Sequence, residues 1–406
     1  MRMTRIQRID IFNGKCDPFF RMEDYYLSFV LTVALFFLSL FGSFLYLFLL
    51  SLFRKEPIFT DSGAIPSVSV IIPAHNEENQ IAEKIRNTLD LDWPLLEVIV
   101  VSDGSTDRTN EIILEFGADI KTIFLEKRAG KPTALNAGAA AAGCDILLFT
   151  DASVLLRRDA IRKMLVPLQS GEIGIVFGRV EYDKLKYSSL TEGEMFYWNY
   201  ENILREFQNR TGHIFSVIGG LCAMRRGSYS EIPQGVISDD LHLAFQSYSR
   251  GKRGYYISEI LGFEENPKST QGEFQRKVRV IAGGWQFLFK YLRDFKNCPG
   301  LLQFYLQKPL RWCAVFFLIL HLGFLLSTLE NPLSFNLCLI YLLLCDLPLM
   351  EWAVRFLQQA YTGSIDIKIK WFFLPFYFIM INLAALVGFF KGLARSESVT
   401  WKMEAR

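Results

Sequence analysis

The sequence has no CxxC pair among its seven cysteines, which stand scattered at 16, 144, 222, 298, 313, 338 and 345. That spacing supports neither a zinc cluster nor a disulfide framework. There is no GxGxxG turn and no Walker-type lysine loop, so no segment is built to hold phosphate by backbone amides alone. Charge of one sign is missing too: 44 Lys and Arg face 42 Asp and Glu over 406 residues. Without a basic excess the chain carries no electrostatic footprint for nucleic acid. What it has in abundance is apolar residues, 51% of the whole with 36 Phe. That is oily for a soluble protein, and the oil is concentrated at the two ends.

After an N-terminal segment, 1–24, residues 25–53 carry no charge and exceed the roughly 20 residues needed to cross a bilayer. The run is too long for a signal-peptide core and lacks a small-residue cleavage site, so it is expected to remain as a transmembrane anchor. A C-terminal region, 312–390, holds three more candidate spans at 312–329, about 333–350 and 371–390. The middle one contains Asp346 and Pro348, and an acid inside a span is costly. Four spans put both chain ends on one side and the central region on the other. The Lys/Arg distribution does not settle the orientation. Three positive charges in the 351–370 loop suit a cytosolic middle, whereas the basic N-terminal segment and tail argue the other way.

Between the apolar ends, residues 64–275 read as an α/β domain. VSVIIP (68–73) and EVIVV (97–101) are short continuous apolar runs, as expected of strands covered on both faces. Between them Ile81, Ile85 and Leu89 recur at i, i+4 and i+8, one helical stripe. Strand, helix and strand within so short a stretch make a βαβ unit. DIKTIFL (119–125) and DILLFTD (145–151) predict two more strands, with an Ala-rich helix between them. Repeated units of this kind imply a doubly wound, mostly parallel sheet.

Each of these strands runs into polar residues: PAHNEE after the first, SDGSTD after the second, TDAS after the fourth. In open α/β sheets, ligands bind beyond the carboxyl ends of the strands. SDGSTD by itself reads equally well as a helix N-cap cluster. It lacks the alternating acids and distal Glu of a calcium loop. Recurrence at successive strand ends favours a composite acidic site. Such a site would bind a phosphorylated ligand through a divalent cation.

Taken in order, VSVIIPAHNEENQIAEKIRNTL, EVIVVSDGSTDRTNEI, KRAGKPTALNAG, DILLFTDAS and ISDDLHLAFQ resemble the inverting family 2 glycosyltransferases of the GT-A fold. The likeness covers about 66–285, and the flanking spans resemble the membrane-bound polysaccharide-synthase branch. The resemblance implies a nucleotide-diphosphate sugar donor, a UDP-sugar by preference. Pro73, Ala74, Asn76 and Glu77 then match the loop that holds the nucleoside, and His75 is a spacer. Asp103 matches the acid contacting the base, with Ser102 where the family often has another acid. Lys131 matches the lysine near the donor. The family's D-x-D becomes Asp151-Ala152-Ser153, so Asp151 and Ser153 are the implied ligands of a Mg²⁺ or Mn²⁺ ion, Ser153 as a weaker, neutral one.

The same resemblance assigns Asp240 as the catalytic base, with Asp239 as its fallback. The bland alternative is two acids complementing a helix N-terminus. Trp198, Tyr200, Glu201, Gly219 and Gly220 correspond to the acceptor side, although an aromatic helix face docked on the sheet or membrane explains the first of these as well. The Q-x-x-R-W motif of processive synthases is altered: Arg276 and Arg279 follow Gln275, but the nearest tryptophan, Trp285, comes several residues late. Either arginine suits a diphosphate grip, while Trp285 as an acceptor platform, and with it processivity, is less well matched. From 276 to 306, Val278, Ile281, Trp285, Leu288 and Leu292 with clustered Lys and Arg predict an amphipathic helix on the membrane surface.

The expected protein is thus a multi-pass enzyme of the cell membrane with a cytosolic catalytic domain. It would transfer a hexosyl or N-acetylhexosaminyl unit to a growing glycan or lipid-linked acceptor. The nearest alternative adds one sugar to a polyprenyl phosphate or ceramide-like lipid. A non-catalytic sugar-nucleotide sensor is a third, disfavoured by Asp240, since a binding module needs no base there.

Overall fold

The short apolar runs become strands because both of their faces are covered. In the computed structural model, residues 22–182, 192–215, 220–264, 270–329, 332–337, 340 and 373–394 are described. The first four strands are β1 (Val68–Ala74), β2 (Leu96–Asp103), the partly exposed edge strand β3 (Lys121–Leu125) and β4 (Ile146–Thr150). Along β1, Val68, Val70 and Ile72 pack with helices α2 (Ile81–Leu89) and α5 (Ala160–Leu168). Ile71 faces the other way, toward α4 (Lys131–Ala141) and α7 (Asp239–Ser249). Each fully buried Val or Ile contributes about 1.5–3 kcal/mol, so these positions fix the register.

The sheet has eight strands in the order β3-β2-β1-β4-β7-β6-β8-β5, with β5 (Val154–Leu156), β6 (Ile173–Tyr182), β7 (Leu221–Arg225) and β8 (Arg253–Glu264) completing it. β1, β2, β3 and β4 are mutually parallel, as expected. β7 runs antiparallel between β4 and β6, and β5 antiparallel to β8. The chain winds from β1 outward to β3 and then returns to place β4 on the other side of β1. That reversal opens a crevice at the carboxyl ends of β1 and β4.

Two details differ from the periodicity reading. In α2, Ile81 and Ile85 are fully buried but Leu89, the last residue of the helix, is 38% exposed. Lys84 and Thr88 fill the inward face instead. The segment 117–119 forms a 3₁₀ turn, so β3 starts two residues later than expected.

Helix α1 (Met22–Phe53) is a single rod, and its Leu27–Phe53 portion is long and apolar enough to cross a membrane. Its outer face leaves Leu31, Phe37, Phe41 and Leu45 exposed. On its inner side Tyr200, from α6 (Glu192–Thr211), donates its hydroxyl to the Leu40 carbonyl at 3.1 Å. The C-terminal helix Phe373–Ala394 supplies a second helix of spanning quality over Tyr377–Ala394. The expected 312–329 span is α11 (Ala314–Ser327), at 14 residues about 21 Å long and too short by itself. It continues from Leu301–Trp312 through a 49° bend, and the pair together passes as a third span. Of the expected 333–350 span, only 333–337 and 340 lie among the described residues.

The segment 276–306, expected as an amphipathic membrane-surface helix, is divided among several short elements. α8 (Thr270–Gln286) is followed by a π turn and a 3₁₀ turn before α9 (Leu301–Gln307). Its apolar stripe of Val278, Ile281 and Trp285 faces protein, packing against Ala384 and Ala385 of the C-terminal helix and Trp312 of α10 (Pro309–Trp312). Gly388 and Gly392 permit this close approach, since a Cβ there would meet Ile281 at 2.9 Å and Trp285 at 2.7 Å. Farther along, Phe287, Tyr291 and Phe295 enter the core of the α/β domain.

Candidate active site

The crevice between β1 and β4 is lined by Pro73, Ala74, His75 and Glu77 from the β1 end, Asp103 from β2, Arg128, Gly130, Lys131 and Ala134 before and within α4, and 151–153 after β4. Four stretches singled out in the sequence therefore converge on one cleft.

The first loop is tied to the second. Asn76 adopts a left-handed backbone, φ 56°, which Asn tolerates better than most residues. Its Oδ1 accepts the Thr106 N–H at 2.8 Å, and its own N–H donates to Ser105 Oγ at 3.1 Å. The Glu77 N–H donates to Thr109 Oγ1 at 2.7 Å. His75 Nδ1–H donates to the Asp103 carbonyl at 2.6 Å, so the supposed spacer is a brace between loops.

Asp103 is 4% exposed, and its carboxylate is engaged. Oδ1 accepts the Ala129 N–H at 2.6 Å and Oδ2 the Gly130 N–H at 2.8 Å. Asp103 thereby holds the turn that delivers Lys131 while lining the cleft. Gly104 is required beside it: with φ +61°, a Cβ would stand 2.4 Å from the Arg128 nitrogen.

Lys131 is the centre of the cleft. Its Nζ lies 2.8 Å from Asp151 Oδ1 and 3.2 Å from Asp239 Oδ2. Burial by itself would lower the Lys131 pKa, but Asp151, Asp239 and Asp240 outweigh it and raise the value above the ordinary range, so the ammonium is permanently charged. Asp151 is anchored by its N–H to the Gly220 carbonyl at 3.2 Å. From behind, the fully buried Lys84 donates to Thr150 Oγ1 at 3.0 Å and to the Val154 carbonyl, bracing the turn. Burial brings the Lys84 pKa down to about 7, with Asp151 opposing.

Asp239 and Asp240 open α7, where the helix dipole favours carboxylates. Asp239 is held by Lys131. Asp240 accepts the Leu241 N–H at 2.7 Å, and its pKa is pushed up to about 6 by burial and then by the neighbouring Asp239 charge. The start of α7 is fixed by α8. Gln286 donates to the Gly235 carbonyl at 2.7 Å and accepts the Ile237 N–H at 3.2 Å, and Gly283 lies against Ile237 and Ser238. Arg279 of α8 belongs to the same charge cluster. Burial lowers its pKa, and the fields of Asp239, Asp151 and Asp240 act against that. Arg276, by contrast, forms a bidentate pair with Glu273 at 2.7 and 2.8 Å.

The acceptor candidates divide. Gly220 adjoins the cleft through Asp151. Tyr200 is bound to α1, and Glu201, 2% exposed, pairs with Arg311 at 2.5 Å, so both act in the junction between α6 and the apolar helices. Trp285 is 5% exposed among Phe289, Trp312 and Phe389. Its ring serves packing between α8 and the C-terminal helix rather than the cleft, which is the reading the late position of this tryptophan already strained. The Gly219 position and the Trp198 side chain lie outside what is described. His242 also packs, surrounded by Phe287, Tyr291 and Phe295.

Three residues of this neighbourhood escaped the sequence reading: Arg128, Lys84 and Glu264. Glu264 ends β8, and its Oε1 accepts the Ser153 hydroxyl at 2.9 Å. The signal available for it was an acid at a strand end on the same side as the others.

Residues 69–233 match the family described as glycosyl transferase family 2. A probable glycosyltransferase of Bacillus subtilis (strain 168) is 27% identical over 248 residues, 57% of this chain and 58% of that protein. A poly-beta-1,6-N-acetyl-D-glucosamine synthase of Staphylococcus epidermidis is 25% identical over 280 residues, 65% of this chain and 66% of its own length. The matched stretch thus covers somewhat less than two thirds of each relative. In structure, a mannosyltransferase of Pyrobaculum calidifontis, in complex with GDP-Man and Mn²⁺, superimposes with a TM-score of 0.68 at 21% identity, over 91% of this chain and 100% of that one. The sheet order, the cleft at its switch point and the superposition agree on a GT-A fold, and over residues 69–233 the chain is similar to the glycosyl transferase family 2.

Proposed function

We propose that the protein is a membrane-anchored inverting glycosyltransferase. It moves a sugar from a nucleotide-diphosphate donor to a growing glycan or lipid-linked acceptor. One observation carries the reading: Lys131 bridges the β4-end Asp151 and the helix-start Asp239, beside an Asp240 whose carboxyl burial and then the Asp239 charge push up to about 6 while Lys131 opposes the shift. A general base works best with a pKa near the operating pH. Asp239 is instead engaged by the Lys131 ammonium at 3.2 Å.

In the proposed step the acceptor hydroxyl oxygen attacks the anomeric carbon as its proton passes to the Asp240 carboxylate. The bond from that carbon to the diphosphate oxygen breaks, and the nucleoside diphosphate leaves with the electron pair. Attack opposite the leaving group inverts the anomeric centre. Lys131 and Arg279 stabilise the negative charge of the leaving diphosphate, preformed charges acting where charge develops. The loops of Pro73, Ala74, Glu77 and Asp103 form the wall for the nucleoside. Asp151 and Ser153 offer hard oxygen donors, the chemistry that suits Mg²⁺ or Mn²⁺. When bound, such a cation would neutralise diphosphate charge. The α1 anchor and the C-terminal helix suit a multi-pass protein of the cell membrane with this domain on the cytosolic side, where nucleotide sugars are made.

A second reading, addition of a single sugar to a lipid acceptor, is favoured by the burial of Trp285, which leaves that residue no part in holding a polymer. Incubating detergent-purified protein with a panel of UDP- and GDP-sugars and membrane lipid extract, and scoring nucleotide release, tests the proposal. Release with one sugar class supports it, and the length distribution of the product separates the two readings. No release with any donor across acceptor preparations would refute it.

A further inference from the structure

The turn after β4 presents Asp151, Ala152 and Ser153 to the cleft, with a serine where the family pattern has its second carboxylate. A neutral hydroxyl contributes much less than a carboxylate to holding a divalent cation against a diphosphate. The sheet brings in a replacement. β5 and β8 are antiparallel with Val154 opposite Glu264, so the last residue of β8 arrives beside the residue that follows the motif. Ser153 Oγ donates to Glu264 Oε1 at 2.9 Å, and Ser153 is 8% exposed, which holds that contact in place. A hydroxyl donor orients a carboxylate without cancelling its charge, as the outer hydrogen-bond partners of metal-binding carboxylates do.

Among the described residues, no three His, Cys, Asp or Glu side chains converge on one metal-sized site. The described residues therefore offer at most two carboxylates to such an ion, with the diphosphate and water available to complete the shell. Mg²⁺-type ions at nucleotide sites are bound in that way. Lys131 takes one oxygen of Asp151, Oδ1, which makes a further anionic donor more important.

We propose that Glu264 supplies the second carboxylate missing from the 151–153 motif, so that Asp151 and Glu264 together hold the divalent cation of the donor complex and Ser153 positions Glu264. The proposal rests on the nucleotide-sugar reading of the cleft. It relocates a metal ligand from the β4–β5 turn to the end of β8, some 110 residues later in the chain.

The test is direct binding of Mn²⁺, followed by the loss of the free-ion electron paramagnetic resonance signal, with saturating UDP or GDP present. Wild type, Glu264→Gln and the double variant Ser153→Asp/Glu264→Gln are compared. Glu264→Gln is expected to weaken Mn²⁺ binding by about 10–100-fold. Ser153→Asp in that background returns a carboxylate to the motif and is expected to restore most of the loss. Unchanged Mn²⁺ affinity in Glu264→Gln overturns the proposal while leaving the nucleotide-sugar reading intact. A loss that the double variant fails to recover also overturns it, because Glu264 would then act through the fold. If wild type binds neither nucleotide in calorimetry, the reading of the cleft falls and the proposal with it.

Discussion

Lys131→Met removes the ammonium between Asp151 and Asp239 but keeps an unbranched side chain of similar length. At separations of 2.8 and 3.2 Å and an effective dielectric of about 20, the two contacts correspond to roughly 6 and 5 kcal/mol of gross Coulomb energy. Desolvation of the three groups cancels most of this, and the Lys131 side chain keeps 20% exposure. The expected net loss is therefore at the low end of the range for breaking a buried pair, about 3 kcal/mol. For a domain of this size that lowers the thermal midpoint by roughly 6–12 °C. The loss should depend on pH with a definite sign. Clustered carboxylates repel one another only while ionised, and Lys131 is one of the charges that hold the Asp240 pKa down. Without it the Asp240 value moves above about 6, the penalty is full above that value, and it shrinks as pH falls through it. Thermal unfolding of the detergent-purified proteins, followed by tryptophan fluorescence at pH 8 and pH 5, reads both quantities. Equal midpoints at pH 8, or a difference that does not change with pH, would refute the charge-cluster reasoning.

Wild-type transfer should fall as pH drops through about 6, because the raised Asp240 carboxyl must be ionised to accept a proton. A pH–rate profile with no acid limb between pH 5 and 7 would contradict that. Asp103→Ala frees the Ala129 and Gly130 amides that it now binds, so the Lys131 turn should loosen and nucleotide affinity drop by about tenfold. Calorimetry with UDP or GDP measures this, and unchanged affinity in a folded variant would reject it. Gly104→Ala should destabilise through its positive φ and a 2.4 Å clash with backbone, visible as a lower thermal midpoint.

Of the parallel strands, β1, β2 and β4 were legible because they are buried on both faces and so appear as unbroken apolar runs, while the edge strand β3 is partly exposed. The other half of the sheet was not legible. β5 has only three residues, and β8 alternates buried with partly exposed positions along an irregular pairing with β6. Lys84 broke the helix reading because a buried lysine is legible only from its partners, Thr150 and Val154, which lie some 70 residues away. The cleft-lining Pro73, Asp103, Lys131 and Asp151, and Asp239 in contact with Lys131, were legible because they lie at strand ends or helix starts in motifs of fixed order. Arg276, Tyr200, Glu201 and Trp285 belong to helices whose facing partners the sequence does not reveal. Their polar or aromatic character serves helix junctions as readily as a substrate. Glu264 went unread for the same reason: strand pairing across the sheet, and no local pattern, brings it to Ser153.

The central claim, that this cleft transfers a sugar with Asp240 as base, is tested most directly by the single-turnover transfer rate of Asp240→Asn at saturating donor. The amide keeps the shape and can still accept the Leu241 N–H, but it cannot take the acceptor proton. Loss of a positioned general base lowers the rate by about 10²–10⁴, and nucleotide affinity should remain near wild type, since the group acts in the transition state. Asp239→Asn, measured alongside, should be milder. A wild-type rate in Asp240→Asn, or a larger loss in Asp239→Asn, would contradict the account.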